Sequence, residues 1–201
     1  EGRYVEPDFL KMFSFPLLQG DRETALAQPN SIVLTKRLAD KLFPGVEPVG
    51  KVVKVANATE YQVTGVLQDL PKITIFKFEF LLPYAEFLRT NAWALDWGNN
   101  GLETFVLLDE GATIETVNAK IRNVVKDRGT QDNVELFLQP LTDIYLKSDF
   151  ENGAYTGGGR MTNVRLFGII ALLTLAMACI NFMNLSTARA SVRAIEVWVR
   201  K

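Results

Sequence analysis

No charged side chain occurs between Arg165 and Arg189, and this gap constrains the chain more than any other feature. A bilayer's hydrocarbon core takes about 20 helical residues. The run LFGIIALLTL at 166–175 leaves little polar surface for a soluble helix to show to water. The spacing therefore predicts one transmembrane helix over 166–188, with Thr162 or Asn163 capping its start, preceded by a folded domain outside the lipid.

The predicted span has unlike faces. Ala171, Thr174, Ala178 and Asn181 recur at helical spacing, and Asn184 and Ala188 continue the same side. Small residues let helices approach closely in a membrane, and a buried Asn seeks a partner, so this face is expected to pack against other membrane helices. A single-pass anchor with the Asn residues near the interface is the alternative. Beyond the span, Arg189, Arg193, Glu196 and Arg200 alternate with an apolar stripe of Ala188, Val192, Ile195 and Val199. That pattern predicts an amphipathic extension, and its cations, with Lys201, place this end in the cytoplasm by the positive-inside tendency. Residues 1–165 then lie outside. An exported domain needs a signal upstream, so a chain that opens on Glu1 and ends inside a helical pattern reads as a fragment.

Composition removes several functions. With 22 basic and 23 acidic residues the formal charge is -1, which gives no basic surface for nucleic acid. There is no histidine, and Cys179 stands alone, so nucleophilic triads and His- or Cys-based metal clusters are excluded. No catalytic, cofactor or metal residue is expected. GVEPVGKV at 45–52 falls one residue short of a P-loop, because Val52 stands where Ser or Thr must hold a metal ion, and it follows a helix rather than a strand. The triplet Asn57, Ala58, Thr59 reads as turn chemistry, and the carboxylates Glu79, Asp96 and Glu103, near Trp97 in sequence, as solvated surface charge.

Patterning along 1–150 predicts an α+β fold. Phe9, Met12 and Phe13 share a face of one or two helical turns. A strand at 31–34 precedes a helix over 36–43 with Thr35 as its cap, and Val-rich strands at 51–55 and 61–67 form a hairpin. Residues 76–80 alternate apolar and charged like a half-buried strand, and 84–95 is helical in pattern. From 103 a β-α-β unit is expected: a strand at 104–108, a helix over 114–127 capped by Thr113, and a strand at 134–139. The Gly157, Gly158, Gly159 run predicts a flexible connection to the span.

Several stretches together resemble the MacB/FtsX-type ABC transporter permeases, in the large form common in Bacteroidetes. They are PDFLKMFSFPLLQG at 7–20, NSIVLT at 30–35 with KLF at 41–43, PVG at 48–50, YQVTGVL at 61–67 and, most specific, ACINFMNLSTAR at 178–189. RAIEVWVRK at 193–201 is similar to the family's basic segment after its second membrane helix, with Ile195 and Trp198 departing from it. The resemblance implies a periplasmic domain with a mainly β, sabre-like part over 1–100 and a porter-like β-α-β part over 101–150. A linker at 151–165, the membrane helix at 166–188 and a cytoplasmic amphipathic extension at 189–201 would follow. It further implies an inner-membrane permease that transmits ATP-driven motion to the periplasm for export or extraction of substrates and does no bond chemistry itself. The implied partners are a separate ABC ATPase subunit, a second copy or related permease subunit, and membrane lipid, with room for a periplasmic adaptor. Arg193, Glu196, Arg200 and Lys201 would face the ATPase, and Ala171, Thr174, Ala178, Asn181 and Asn184 would pack the membrane helices. A membrane-tethered sensor or binding module without transport is the competing expectation.

Overall fold

Nine residues, 59–67, organise the sheet. In the computed structural model, which describes all residues except 100, 130–133, 152–153 and 200–201 and leaves the side chains of 192, 194, 196 and 197 undescribed, the chain forms two units, 1–134 and 135–201. The first unit runs β1 (Gly2–Val5), α1 (Phe9–Met12), β2 (Leu17–Gly20), β3 (Ser31–Thr35), α2 (Lys36–Leu42), β4 (Val52–Val55), β5 (Thr59–Leu67), β6 (Phe80–Pro83) and α3 (Tyr84–Thr90). A 3-10 turn at Ala92–Leu95 and the helices α4 (Ile114–Ile121) and α5 (Val124–Asp127) complete it.

The sheet order is β1-β6-β3-β5-β2, with β4 also on β5. Along one edge β5 pairs antiparallel with β4 through Thr59 to Gln62 and with β2 through Gly65 to Leu67; along the other it pairs parallel with β3. The β3 register shifts between Ile32 and Val33, opposite Val63 and Gly65, so Thr64 is an extra residue in the ladder. The shift puts Val63 and Val66 on one face although they are three apart, and the Thr64 hydroxyl donates to the Ala25 carbonyl at 2.6 Å. Gly20, at φ +92°, lies against the Thr64 carbonyl, where a Cβ would collide.

Both faces of this sheet are covered. On one, Val33, Leu67 and Leu81 meet Leu10, Leu26, Phe76 and Phe78, with Phe9, Phe13, Phe15 and Phe105 around them. On the other, Ile32, Leu34, Val63, Val66 and Leu82 meet Ala39 of α2 and Tyr61. All five residues of β3 are buried, which is why this strand reads as a continuous apolar run instead of an alternation. Burying each aliphatic stabilises by about 1.5–3 kcal/mol. Arg22 ties the connecting loop down by donating to the carbonyls of Leu10 and Phe15 at 2.9 and 2.8 Å.

Local expectations met the structure unevenly. The hairpin β4–β5, the strand β3 and helix α2 lie where patterning put them. Thr35 flanks α2, but its side chain makes no cap; the Asp69 carboxylate accepts from the Arg37 amide at 2.8 Å instead. Phe76 and Phe78 are buried and Lys77 is exposed as the alternation requires, yet ladder pairing begins only at Phe80, so that pattern records division between core and water rather than a strand. Thr113 caps α4 in a capping box with Thr116. The helix expected to continue to 127 breaks after Ile121 into α4 and α5. The flanking segments 104–108 and 134–139 carry no strand pairing among the described residues; apolar β-formers supply the pattern of a strand but not a partner.

In the second unit, β7 (Phe150–Glu151) and β8 (Ala154–Tyr155) pair antiparallel and lead into α6 (Arg160–Val199), a helix of 40 residues. At about 1.5 Å per residue it is about 60 Å long, twice the thickness of a bilayer core. It starts at Arg160, ahead of the expected caps, and Thr162 instead turns its hydroxyl back to the Gly157 carbonyl at 3.1 Å.

Candidate functional site

The root of α6 and the helix itself carry the features that point to a role. Several specific contacts surround the three consecutive glycines at 157–159. Phe150 packs between Phe137 and Tyr155, with ring centroids 5.1 and 5.9 Å away. The Tyr155 hydroxyl donates to the Gly158 carbonyl at 2.8 Å, and the Thr156 amide to the Asp149 carbonyl at 3.1 Å. Lys147 pairs with Asp143 at 2.7 Å, and Gln139 donates to the Lys147 carbonyl. Gly159 sits at φ +77°, and a Cβ there would lie 2.9 Å from the Ser148 hydroxyl and 3.3 Å from the Leu146 carbonyl. Its missing side chain is what lets the turn close against the helix.

Two contacts then clamp the first turn. The Arg160 guanidinium lies 4.2 Å from the Tyr145 ring centroid, and the Met161 amide donates to the Leu146 carbonyl at 3.1 Å.

From Thr162 onward every described residue of α6 is exposed, including Leu172 at 67% and Phe182 at 71%. The stretch Arg160–Ser191 is long enough to cross a membrane, and an 18-residue window within it reaches a mean hydropathy of 2.3. Ala171, Thr174, Ala178, Asn181 and Asn184 share one face of it and are all exposed. Their polar groups differ. The Thr174 and Thr187 hydroxyls donate to the carbonyls of Ile170 and Met183, each at 2.8 Å, and so are satisfied within the helix. Among the described residues the Asn181 and Asn184 amides have no such partner, which is costly in hydrocarbon. Arg193 is exposed beyond the span, beside Ile195 and Trp198, which are 64% and 82% exposed. The Glu196 side chain, Arg200 and Lys201 lie outside the described residues.

The carboxylates Glu79, Asp96 and Glu103 are each engaged separately. Glu79 pairs with Arg37 at 2.9 Å, Glu103 with Arg3 at 2.8 Å, and Asp96 accepts from the Gly98 amide at 2.8 Å. Trp97 is half exposed, with the Arg128 guanidinium 4.9 Å from its ring centroid. No group of three or more metal-ligating side chains is brought together among the described residues. Elsewhere, burial pushes the Tyr61 and Tyr84 hydroxyls up from their ordinary pKa, and the Arg89 hydrogen bond holds Glu86 below the usual carboxylate range.

Residues 1–124 match the family model of the MacB-like periplasmic core domain, and the chain belongs to that family. Three solved structures are similar. One is a domain described as part of a permease protein from Porphyromonas gingivalis, 21% identical, with a TM-score of 0.49 over 72% of this chain and 70% of that one. The periplasmic region of MacB from Actinobacillus actinomycetemcomitans is 16% identical, with a TM-score of 0.47 over 65% and 58%. The extracellular domain of the noncanonical ABC-type transporter YknZ from Gram-positive bacteria is 18% identical, with a TM-score of 0.45 over 65% of each. This chain thus spans 58% to 70% of their lengths. No curated protein matches it. Family membership rests on the family model.

Proposed function

We propose that this chain is the part of an ABC transporter permease that joins a periplasmic domain to a membrane helix and passes motion between them. The observation that carries this reading is the union, in one chain, of a MacB-like periplasmic core and an apolar helix of 40 residues whose root is clamped by Arg160, Tyr145 and Gly159. In this reading 1–100 is the sabre-like part, 101–150 the porter-like part, 151–165 the connection and 166–188 the span in the inner membrane, with 1–165 in the periplasm. Residues 189–201 lie in the cytoplasm, where Arg193, Glu196, Arg200 and Lys201 face a separate ATPase subunit. ATP-driven movement of the membrane helices tilts or turns α6, and the braced root carries that movement outward to export or extract a substrate.

The unsatisfied amides of Asn181 and Asn184 support a helix-packing role for their face, against a second permease copy or a related subunit. Full-length protein purified in mild detergent is expected to bring an ATP-hydrolysing subunit with it. A full-length protein with no further membrane helices and no such subunit would support a tethered binding module and sink the transporter reading. Asn181→Leu is expected to weaken helix association by about 0.6–2 kcal/mol, measured by disulfide cross-linking in membranes. Unchanged association would remove that face from the assembly.

A further inference from the structure

One stretch of the sheet unit is attached to it by side chains and not by its backbone. Residues 102–108 lie between the 3-10 turn at Ala92–Leu95 and helix α4, and none of their amides or carbonyls meets a hydrogen-bond partner among the described residues. Leu102, Val106 and Leu107 are exposed. The stretch is held through Phe105 and Glu103. The Phe105 ring sits against Phe13 and Phe76, with centroids 5.3 and 5.5 Å away, and Glu103 pairs with Arg3 of β1 at 2.8 Å. A covering segment that belonged to the core would bury its apolar side chains and share the sheet's hydrogen bonds. This one exposes three of them and joins no ladder.

The seat of Phe105 is built without it. The Phe13 amide donates to the Phe9 carbonyl at 3.0 Å, and the Phe76 amide donates to the Thr74 hydroxyl at 3.1 Å. Phe9 and Phe15 each meet Phe76 edge to face, with centroids 5.6 Å away. Departure of Phe105 therefore uncovers an aromatic surface that is already in place, and it breaks none of these hydrogen bonds. The Arg3–Glu103 pair resists departure only weakly, because the Glu103 side chain is 68% exposed and water and salt screen it.

We propose that residues 102–108 form a strap that opens and closes on the sheet unit with Phe105 as its latch, covering and uncovering the aromatic face of Phe9, Phe13 and Phe76 while the sheet stays folded. Opening gives up the burial of one ring and one screened ion pair, whereas unfolding the unit gives up the whole core, so the two events are well separated in free energy. The device lies wholly within the sheet unit and stands or falls separately from the transport reading.

Chymotrypsin, which cuts after Phe and Leu, reports how often such a segment opens when reclosing is fast relative to cleavage. In the full-length protein in mild detergent, cleavage after Phe105 is expected well before cleavage after Leu34 or Leu67, both fully buried in strands. Arg3→Glu sets two carboxylates against each other and should speed the cut after Phe105 by about threefold, and adding Glu103→Arg should return it to the starting rate. Phe105→Ala removes the latch and should speed the cut after Leu107 by about tenfold. Cuts after Phe105 and Leu34 that appear together would mean that the stretch opens only with the whole unit, and would overturn the proposal. Rates indifferent to both Arg3→Glu and Phe105→Ala would overturn it as well. Early cleavage after Leu34 or Leu67 in these variants would show that the sheet depends on the stretch, which a separate strap excludes.

Discussion

Strand β3 and helix α6 are both apolar, and the protein treats them in opposite ways. All five residues of β3 are buried between two layers of its own side chains, while α6 shows its leucines and phenylalanines over its whole described length beyond Met161. An apolar segment short enough to be flanked within the domain finds its cover there. One without charge for the thickness of a bilayer finds no cover in the chain and needs lipid or another helix. Hydrophobicity therefore says that a segment must be covered, and length with neighbouring charge says by what.

Substitution can break this contrast. The largest effect is expected for Val33→Asp, which leaves an unpaired carboxylate between the two core layers at about 3–5 kcal/mol or more, a large share of a domain's stability. Protease resistance of the sheet unit in the full-length protein should collapse; survival would mean that β3 is less enclosed than it looks. Leu175→Asp should leave that resistance intact and instead cost about 2.5–3.5 kcal/mol of membrane insertion, seen as release by alkaline extraction. A damaged sheet in this variant would show that α6 has a protein partner on the sheet unit.

Smaller changes sharpen the picture. Gly159→Val forces a branched side chain into a left-handed position beside Ser148, at about 1–2 kcal/mol, and should speed proteolytic cleavage in 147–159. Equal cleavage rates would favour a flexible connection there. Glu86 is held below the ordinary carboxylate range by Arg89, so the stability from this pair is fully present above that range and fades as pH falls through the lowered value. Because Arg89 is mostly exposed, solvent screens the pair and the gain is small. Glu86→Gln should remove this acid-side loss, read as a smaller fall in melting temperature on acidification; an unchanged fall would assign it to other carboxylates.

Much of this was legible from residue order where the determinants are local. The missing charges announced α6, the valines announced β4 and β5, and Thr113 announced the start of α4. What escaped depends on partners distant in sequence or on backbone geometry. Nothing in Gly2 to Val5 names β6, about eighty residues away, as its neighbour. Thr64 does not look like a bulge, and Asp69 does not look like the cap of a helix thirty-two residues earlier. At the root of α6 a glycine run is equally the mark of slack chain and of a turn so tight that only hydrogen fits, and the approach of Gly159 to Ser148 and Leu146 could not be read from spacing. The small and Asn-bearing face of α6 was visible as spacing, but the contrast between its amides and the self-satisfied hydroxyls of Thr174 and Thr187 was not.

The arrangement of partners around β5 also bears on the order in which the sheet can assemble. Its pairing with β4 closes a loop of only three residues, from Val55 to Thr59, whereas β1 and β6 come together from Gly2 and Phe80. Closing long loops costs entropy before any contact rewards it, and sheets rich in distant parallel pairs fold slowly, over about milliseconds to seconds. The β4–β5 hairpin is therefore the expected first piece, a template onto which β3 and then the β1–β6 edge are added. In pulse-labelled hydrogen exchange the amides of Val53 and Val55 should gain protection before those of Leu81 and Leu82. A nascent chain must release residues up to Pro83 before its first strand can find a place.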